Sequence, residues 1–103
     1  SPALRADVVA LQHYISHHAK ARLNEMYTIH PLNAATYILE EGEPIETEMV
    51  LAITGRKVPE HPITSKYILS PDYRGILVIE GATVVTVLRM GEHQQEILRK
   101  GRE

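Results

Sequence analysis

Two side chains one helical turn apart could supply both acid–base chemistry and anion binding. His18 and Arg22 stand at i and i+4 in a segment without glycine or proline. A histidine changes charge near neutral pH and can give or take a proton, while the planar guanidinium of arginine binds phosphate through paired donors. A continuous helix would put Arg22 on its apolar stripe and His18 at the edge, both facing a sheet. The alternative, which the residues leave open, is that Arg22 pairs with Glu25 or with a carboxylate of the sheet, and that His18 is an ordinary boundary residue.

A second pair of histidines has the spacing of metal ligands. His13 and His17 are also at i and i+4, but Tyr14 stands where the H-E-x-x-H pattern needs a glutamate. The chain has no cysteine, so cysteine-ligated zinc and a thiolate nucleophile are excluded. We therefore expect a solvated histidine face, with no metal and no cofactor.

Four residues in the second half of the chain could complete a site if the fold brings them to His18. Lys66, Tyr67 and Arg74 stand in or beside predicted strands, and Thr86 adds a hydroxyl to the apolar run from Val84 to Leu88. Threonine is a favourable strand residue, so packing alone would also explain it. These four residues are candidates for the site only if the fold brings them together with His18 and Arg22.

Length and charge limit the classes of function. The 103 residues, 44 % hydrophobic and 23 % charged, predict one globular domain spanning residues 1–103. The formal net charge of −2 lacks the basic excess of most nucleic-acid-binding proteins, so such a role needs a local basic patch. No apolar run approaches the roughly 20 residues of a membrane helix, and residues 1–5 do not resemble a signal peptide. We therefore expect no membrane association, and the absence of cysteine fits a reducing compartment.

Periodicity and turn residues predict an α+β domain, with N-terminal helices packed on one face of a four-stranded antiparallel sheet. Ser16 could cap a second helix within the first segment, Gly42 suits a left-handed helix cap, and the last strand reads as central and covered on both faces. The predicted helices are 3–27 (one helix or two in line), 31–41 and a short C-terminal helix at 92–100; the predicted strands are 46–53, 64–69, 74–80 and 83–90.

The motif Ser16-x-His18-Ala19-x-x-Arg22, followed by Glu25 and Ile29, resembles the opening of small bacterial toxin ribonuclease domains. The likeness is to the barnase, EndoU, colicin and RelE-like (BECR) group, and it extends from about residue 15 to residue 90. The strand from Val84 to Leu88 is similar to the closing strand of those domains. Met26-Tyr27 replaces their usual Arg-Gly, which affects the anion site and the turn.

The resemblance implies a metal-independent endoribonuclease that cleaves RNA by attack of the ribose 2′-hydroxyl. In that interpretation His18, Arg22 and Thr86 are catalytic, whereas Lys66, Tyr67 and Arg74 bind substrate, with Tyr67 stacked on a base. The domain would be a toxin effector, excised from or delivered by a larger secreted protein, acting in the cytoplasm and neutralised by a cognate immunity or antitoxin protein. The alternative is a non-catalytic protein-binding module with the same fold.

Overall fold

A computed structural model describes residues 14–58 and 64–102 of the chain. Their order along the chain is one strand, two helices, one strand, one helix, three strands and one helix. Residues 3–13 of the predicted first helix, 3–27, lie outside the described ranges. The helices are α1 (His17–Met26), α2 (Pro31–Glu41), α3 (Thr47–Thr54) and α4 (Glu92–Arg102); the strands are β1 (Tyr14–Ile15), β2 (Glu43–Ile45), β3 (Lys66–Leu69), β4 (Gly75–Glu80) and β5 (Thr83–Arg89).

The sheet has five strands in the order β1-β5-β4-β3-β2, and it is mixed. Strands β2 to β5 pair antiparallel, whereas β1 pairs parallel with β5 through Tyr14 opposite Thr83 and Ile15 opposite Val84. The α+β class is confirmed, but the prediction of four antiparallel strands is wrong in detail. Both added strands are too short for a recognisable pattern, and β2 contains Pro44, which an edge strand tolerates.

Helices cover both faces of the sheet, which corrects the expectation of N-terminal helices leading a sheet with one packed face. Strand β4 lies at the centre, and all its residues except Glu80 are buried. Helices α1 and α2 pack on one face through a cluster that includes Leu23 and Ile38. Val50 of α3 and Leu98 of α4 pack on the other face beside Tyr67 and Val78. Alternate residues of β4 therefore serve two separate cores.

The segment predicted as the first strand, residues 46–53, is helix α3. Its run Met49 to Ile53 is uniformly apolar, and such a short run does not distinguish a buried strand from a helix. The helix ends at Gly55, whose φ of 72° is the left-handed conformation that glycine adopts without a Cβ penalty. Since Val50 is buried and Met49 is 41 % exposed, only one side of the helix reaches the core.

Helix α2 has the predicted bounds, 31–41, with Pro31 at its first position and the His30 ring accepting a hydrogen bond from the Leu32 amide. The role predicted for Gly42 is wrong, because its φ is −74° and its backbone is extended. A side chain there would collide with the Ile38 carbonyl and lie 2.7 Å from the Leu69 carbonyl oxygen. Glycine is therefore needed at position 42 for close approach to β3, and not for a left-handed turn.

The strands predicted at 64–69, 74–80 and 83–90 and the C-terminal helix are confirmed with small shifts of their ends. The last strand, β5, is covered on both faces as predicted, since Val84 and Val87 belong to one core cluster and Val85 and Leu88 pack against the other. The central place in the sheet belongs to β4, and β5 lies one place outwards, between β4 and β1. Beyond its short pairing with β1, β5 has β4 on one side and no strand among the described residues on the other. None of the helices in the described ranges is long and apolar enough to cross a membrane.

Candidate functional site

A groove of about 790 Å³ opens along the outer edge of β5. Helix α1 forms one wall, and the end of α3 and the start of α4 form the opposite wall. Five elements contribute residues to the groove, and two of them, α1 and α3, are distant in sequence from the consecutive elements β4, β5 and α4. The residues that line it are His18, Arg22, Thr54, Arg56, Glu80, Val85, Thr86, Val87, Leu88, Arg89 and Gln94.

Ser16 fixes the start of α1 against β5. Its hydroxyl accepts a hydrogen bond from the Ala19 amide at 3.1 Å and donates one to the Val85 carbonyl at 2.8 Å. Its own amide donates to the Val84 carbonyl at 3.0 Å. The capping role suggested for Ser16 is confirmed. Because this one residue is bonded to both elements, the first turn of α1, with His18, has a defined position beside β5.

A β-bulge in β5 gives the groove its floor. Val78 pairs with Thr86 and Ile79 with Val84, so Val85 is an extra residue without a partner opposite it. A bulge bends its strand and changes which face neighbouring side chains reach. Val85 contributes to the α3 and α4 side of the sheet, and both it and Thr86 line the groove. The Ser16 hydroxyl satisfies the carbonyl at this irregular point.

His18 and Arg22 both line the groove, but they reach it from the exposed side of α1. The buried residues of this helix are Ala19 and Leu23, so the prediction that Arg22 lies on the apolar stripe is wrong. That prediction assumed a helix continuous through Ser16, whereas α1 begins only at His17. Within the described ranges, no ion pair joins Arg22 to Glu25 or to another carboxylate.

Sequence reasoning missed the groove residues Arg56, Glu80, Arg89 and Gln94. The amide of Gln94 donates to the Ile53 carbonyl at 2.6 Å and accepts from the Gly91 amide at 2.9 Å, which joins the end of α3 to the start of α4. Arg56 follows α3, and Glu80 and Arg89 end their strands. Charges at element ends are a weak signal, because only the tertiary arrangement shows which of them meet.

Arg74 does not reach this groove. Its guanidinium donates to the Met26 carbonyl at 3.2 Å, lies 3.8 Å from the Asp72 carboxylate and stands 5.7 Å from the centre of the Tyr27 ring. These contacts tie the turn between β3 and β4 to the end of α1. Arg74 instead lines a second, smaller cavity beyond the groove.

Lys66 and Tyr67 also lie away from His18, on β3. Both line a third cavity near the β2 edge of the sheet. The Tyr67 ring is 4 % exposed and belongs to a core cluster, and burial raises the pKa of its hydroxyl. A ring so placed is not accessible for stacking on a base. Of the six predicted residues, the groove thus brings together three: His18, Arg22 and Thr86.

A polar cluster at the end of α1 gives a pH-dependent prediction. The Tyr27 hydroxyl donates to Asp72 at 3.1 Å, and burial, with the nearby Asp72 charge, raises the pKa of Tyr27 to about 12. A tyrosine in the unfolded chain ionises near pH 10. The stabilisation linked to this group is therefore complete below about pH 10 and is lost as pH rises through about 12.

We expect the free energy of unfolding to fall between about pH 10 and 12, and to fall less steeply in Tyr27→Phe. Urea unfolding at a series of alkaline pH values measures this, with Tyr14→Phe, at a position that is 68 % exposed, as the control. Equal slopes for Tyr27→Phe and wild type would contradict the proposed environment of Tyr27.

The predicted histidine pair does not form a metal site that can be described, since His13 lies outside the described residues. Within 14–58 and 64–102, no group of three or more histidine and carboxylate residues has an arrangement that could hold a metal ion. His17 is exposed and does not line the groove.

Comparison with known proteins adds no relative. No family model, curated protein or solved structure matches this chain. The resemblance to the toxin ribonucleases therefore depends only on the motif around His18 and on the strand from Val84 to Leu88, and function must be argued from the groove itself.

Proposed function

We propose that the groove along β5 binds RNA and cleaves it by attack of a ribose 2′-hydroxyl on the adjacent phosphodiester. The observation that carries this proposal is the convergence of His18, Arg22 and Thr86 from two elements on one groove. Because the net charge of the chain is −2, binding of RNA requires a local basic patch. The groove has one, since it is lined by three arginines and one glutamate: Arg22, Arg56, Arg89 and Glu80. A phosphate chain suits that local excess of positive charge.

The reaction needs one group to take a proton and another to give one. As the 2′-oxygen bonds to phosphorus, its proton passes to a base, and the departing 5′-oxygen receives a proton from an acid. His18 and Glu80 are the groove residues whose side-chain types serve as general acids and bases in catalysis. In this proposal they form the acid–base pair, and the products are a 2′,3′-cyclic phosphate and a 5′-hydroxyl.

Charge on the phosphorus-bound oxygens increases as the bond forms, and fixed donors nearby lower that barrier. Among the described residues, the side chains of Arg22 and Arg89 are bonded to no other residue, so both are available to a phosphate. The Thr86 hydroxyl, held at the bulge, is a third donor. Because Ser16 is bonded to both α1 and β5, the two elements that carry these donors keep their relative positions without a bound ligand.

Biologically, the proposal is that this domain is a toxin effector acting on cytoplasmic RNA, after delivery from a larger secreted protein. A cognate immunity or antitoxin protein would protect the producing cell by covering the groove. A partner with a carboxylate-rich surface would match the arginines that line it.

Arg22→Ala provides the first test of this function. Loss of one donor to the developing charge typically lowers cleavage by about 10² to 10³ fold, so induction of wild type should arrest bacterial growth and fragment total RNA, whereas Arg22→Ala should do neither. Arg99→Ala, an exposed arginine of α4 outside the groove, is the matched control and should remain toxic. Normal growth and intact RNA with a folded wild-type domain would overturn the proposal in favour of a non-catalytic protein-binding module.

A further inference from the structure

A second cavity of about 370 Å³ adjoins the groove at Arg89, which lines both. Helix α1 forms a wall of each: His18 and Arg22 face the groove, and Glu25 and Met26, one turn further, face the second cavity. The two spaces therefore follow one another along α1 and the end of β5. The second cavity is lined by Glu25, Met26, Arg74, Arg89, Met90, Gly91, Glu92 and Gln95.

The two spaces differ in charge. The groove has three arginines and one glutamate, whereas the second cavity has two arginines, Arg74 and Arg89, and two glutamates, Glu25 and Glu92. One of its arginines, Arg74, already donates to the Met26 carbonyl and lies beside Asp72. This equal number of arginines and glutamates favours a neutral group with hydrogen-bond donors, because the two carboxylates would repel a second phosphate.

The thioether of Met26 adds an apolar surface to these carboxylates. Met26 is half-buried and packs against the core at the end of α1. A methionine side chain adapts its shape and makes favourable contacts with aromatic rings. A planar base has both features that this cavity can recognise, an aromatic face and polar edges.

We propose that the second cavity binds the nucleobase adjacent to the phosphate in the groove, and that Glu25 and Glu92 select bases carrying an exocyclic amino group over uracil. This inference rests on the proposed function. A carboxylate accepts hydrogen bonds and donates none, so it pairs with the amino groups of cytosine, adenine or guanine. Uracil presents two carbonyl oxygens on either side of its N–H, and these would face the carboxylates with like partial charge.

The expected effect is about tenfold in relative kcat/KM, since one well-placed contact to a base edge gives discrimination of that order. Dinucleoside monophosphates that differ in one base at a time measure this preference on each side of the cleaved bond. In Glu25→Gln with Glu92→Gln the ratio should fall towards one, because an amide can also donate to a uracil oxygen. Glu96→Gln is the matched control, because Glu96 is paired with Lys100 and lines neither space.

A binding measurement separates failure of this inference from failure of the proposed function. Cytidine and uridine 3′-monophosphates are titrated into wild type and into the double glutamine variant, and the Met26 methyl signal is followed by NMR. Tighter binding of the cytidine nucleotide, lost in the variant, supports the inference even if no substrate is cleaved. Equal or undetectable affinities for the two nucleotides, or a cleavage preference that is unchanged in the variant, overturn the inference about base selection. If wild type still cleaves RNA in that case, the proposed function is retained.

Discussion

Replacement of His18 by alanine is expected to lower the rate of RNA cleavage by about 10² to 10⁴ fold, the usual contribution of a positioned acid or base. His18 is exposed on the first turn of α1 and lines the groove opposite β5. Its removal takes away one of the two proton-exchanging groups without disturbing the buried Ala19 and Leu23. Initial rates on a fluorescent RNA oligonucleotide, with circular dichroism to verify folding, measure the effect.

His17→Ala is the matched control for this prediction. His17 precedes His18 in the same helical turn and is also exposed, but it does not line the groove. Any effect of the substitution on the first turn of α1 should be shared by both variants. If His17→Ala and His18→Ala reduce cleavage equally, or if neither does, the assignment of His18 as a proton-transfer group is wrong.

The largest loss of stability is expected from Gly42→Ala. The added methyl group would collide with the Ile38 carbonyl of α2 and with β3, where it would lie 2.7 Å from the Leu69 carbonyl oxygen. Backbone atoms on both sides cannot rotate away as a flexible side chain can. We expect the free energy of unfolding to fall by about 3 kcal/mol, at the upper end for overpacking, measured by urea denaturation.

Gly101→Ala tests the same substitution without the collision. Gly101 lies in α4, and a methyl group there would have no neighbour within 4 Å. Alanine is a better helix former than glycine by roughly 1 kcal/mol, so this variant should be as stable as wild type or slightly more stable. A Gly42→Ala protein as stable as Gly101→Ala would contradict the close packing of α2 against β3.

Local signals were sufficient where an element carried its own boundary chemistry. Pro31 and the residues up to Glu41 predicted α2, and turn residues between apolar runs predicted β3, β4 and β5. Ser16 was suggested as a cap from its residue type, and the contact that confirms it is local, since its hydroxyl accepts from the Ala19 amide three residues later. The apolar run in α3 carried no residue that marks a helix boundary, and residues 49–53 would suit a buried strand equally well.

Features that depend on distant residues could not be predicted in the same way. Gly42 was assigned a left-handed conformation from its place after a helix, whereas β3, more than twenty residues later in the chain, determines its role. Arg22 was assigned to a buried face because the strand at Tyr14–Ile15 was unrecognised. The i, i+4 spacing did predict that His18 and Arg22 lie together on one side of α1, and both line the groove with Thr86. Their meeting with Arg89 depends on the order of the strands.

The most direct test of the central claim uses an oligodeoxynucleotide with one ribonucleotide, beside its all-deoxy counterpart, in the presence of EDTA. The proposal predicts that the purified domain cleaves only the strand with the ribonucleotide, at its 3′ side, and leaves a 2′,3′-cyclic phosphate detectable by mass spectrometry. Cleavage of both strands, a requirement for a metal ion, or an intact ribonucleotide strand beside a folded protein would contradict it.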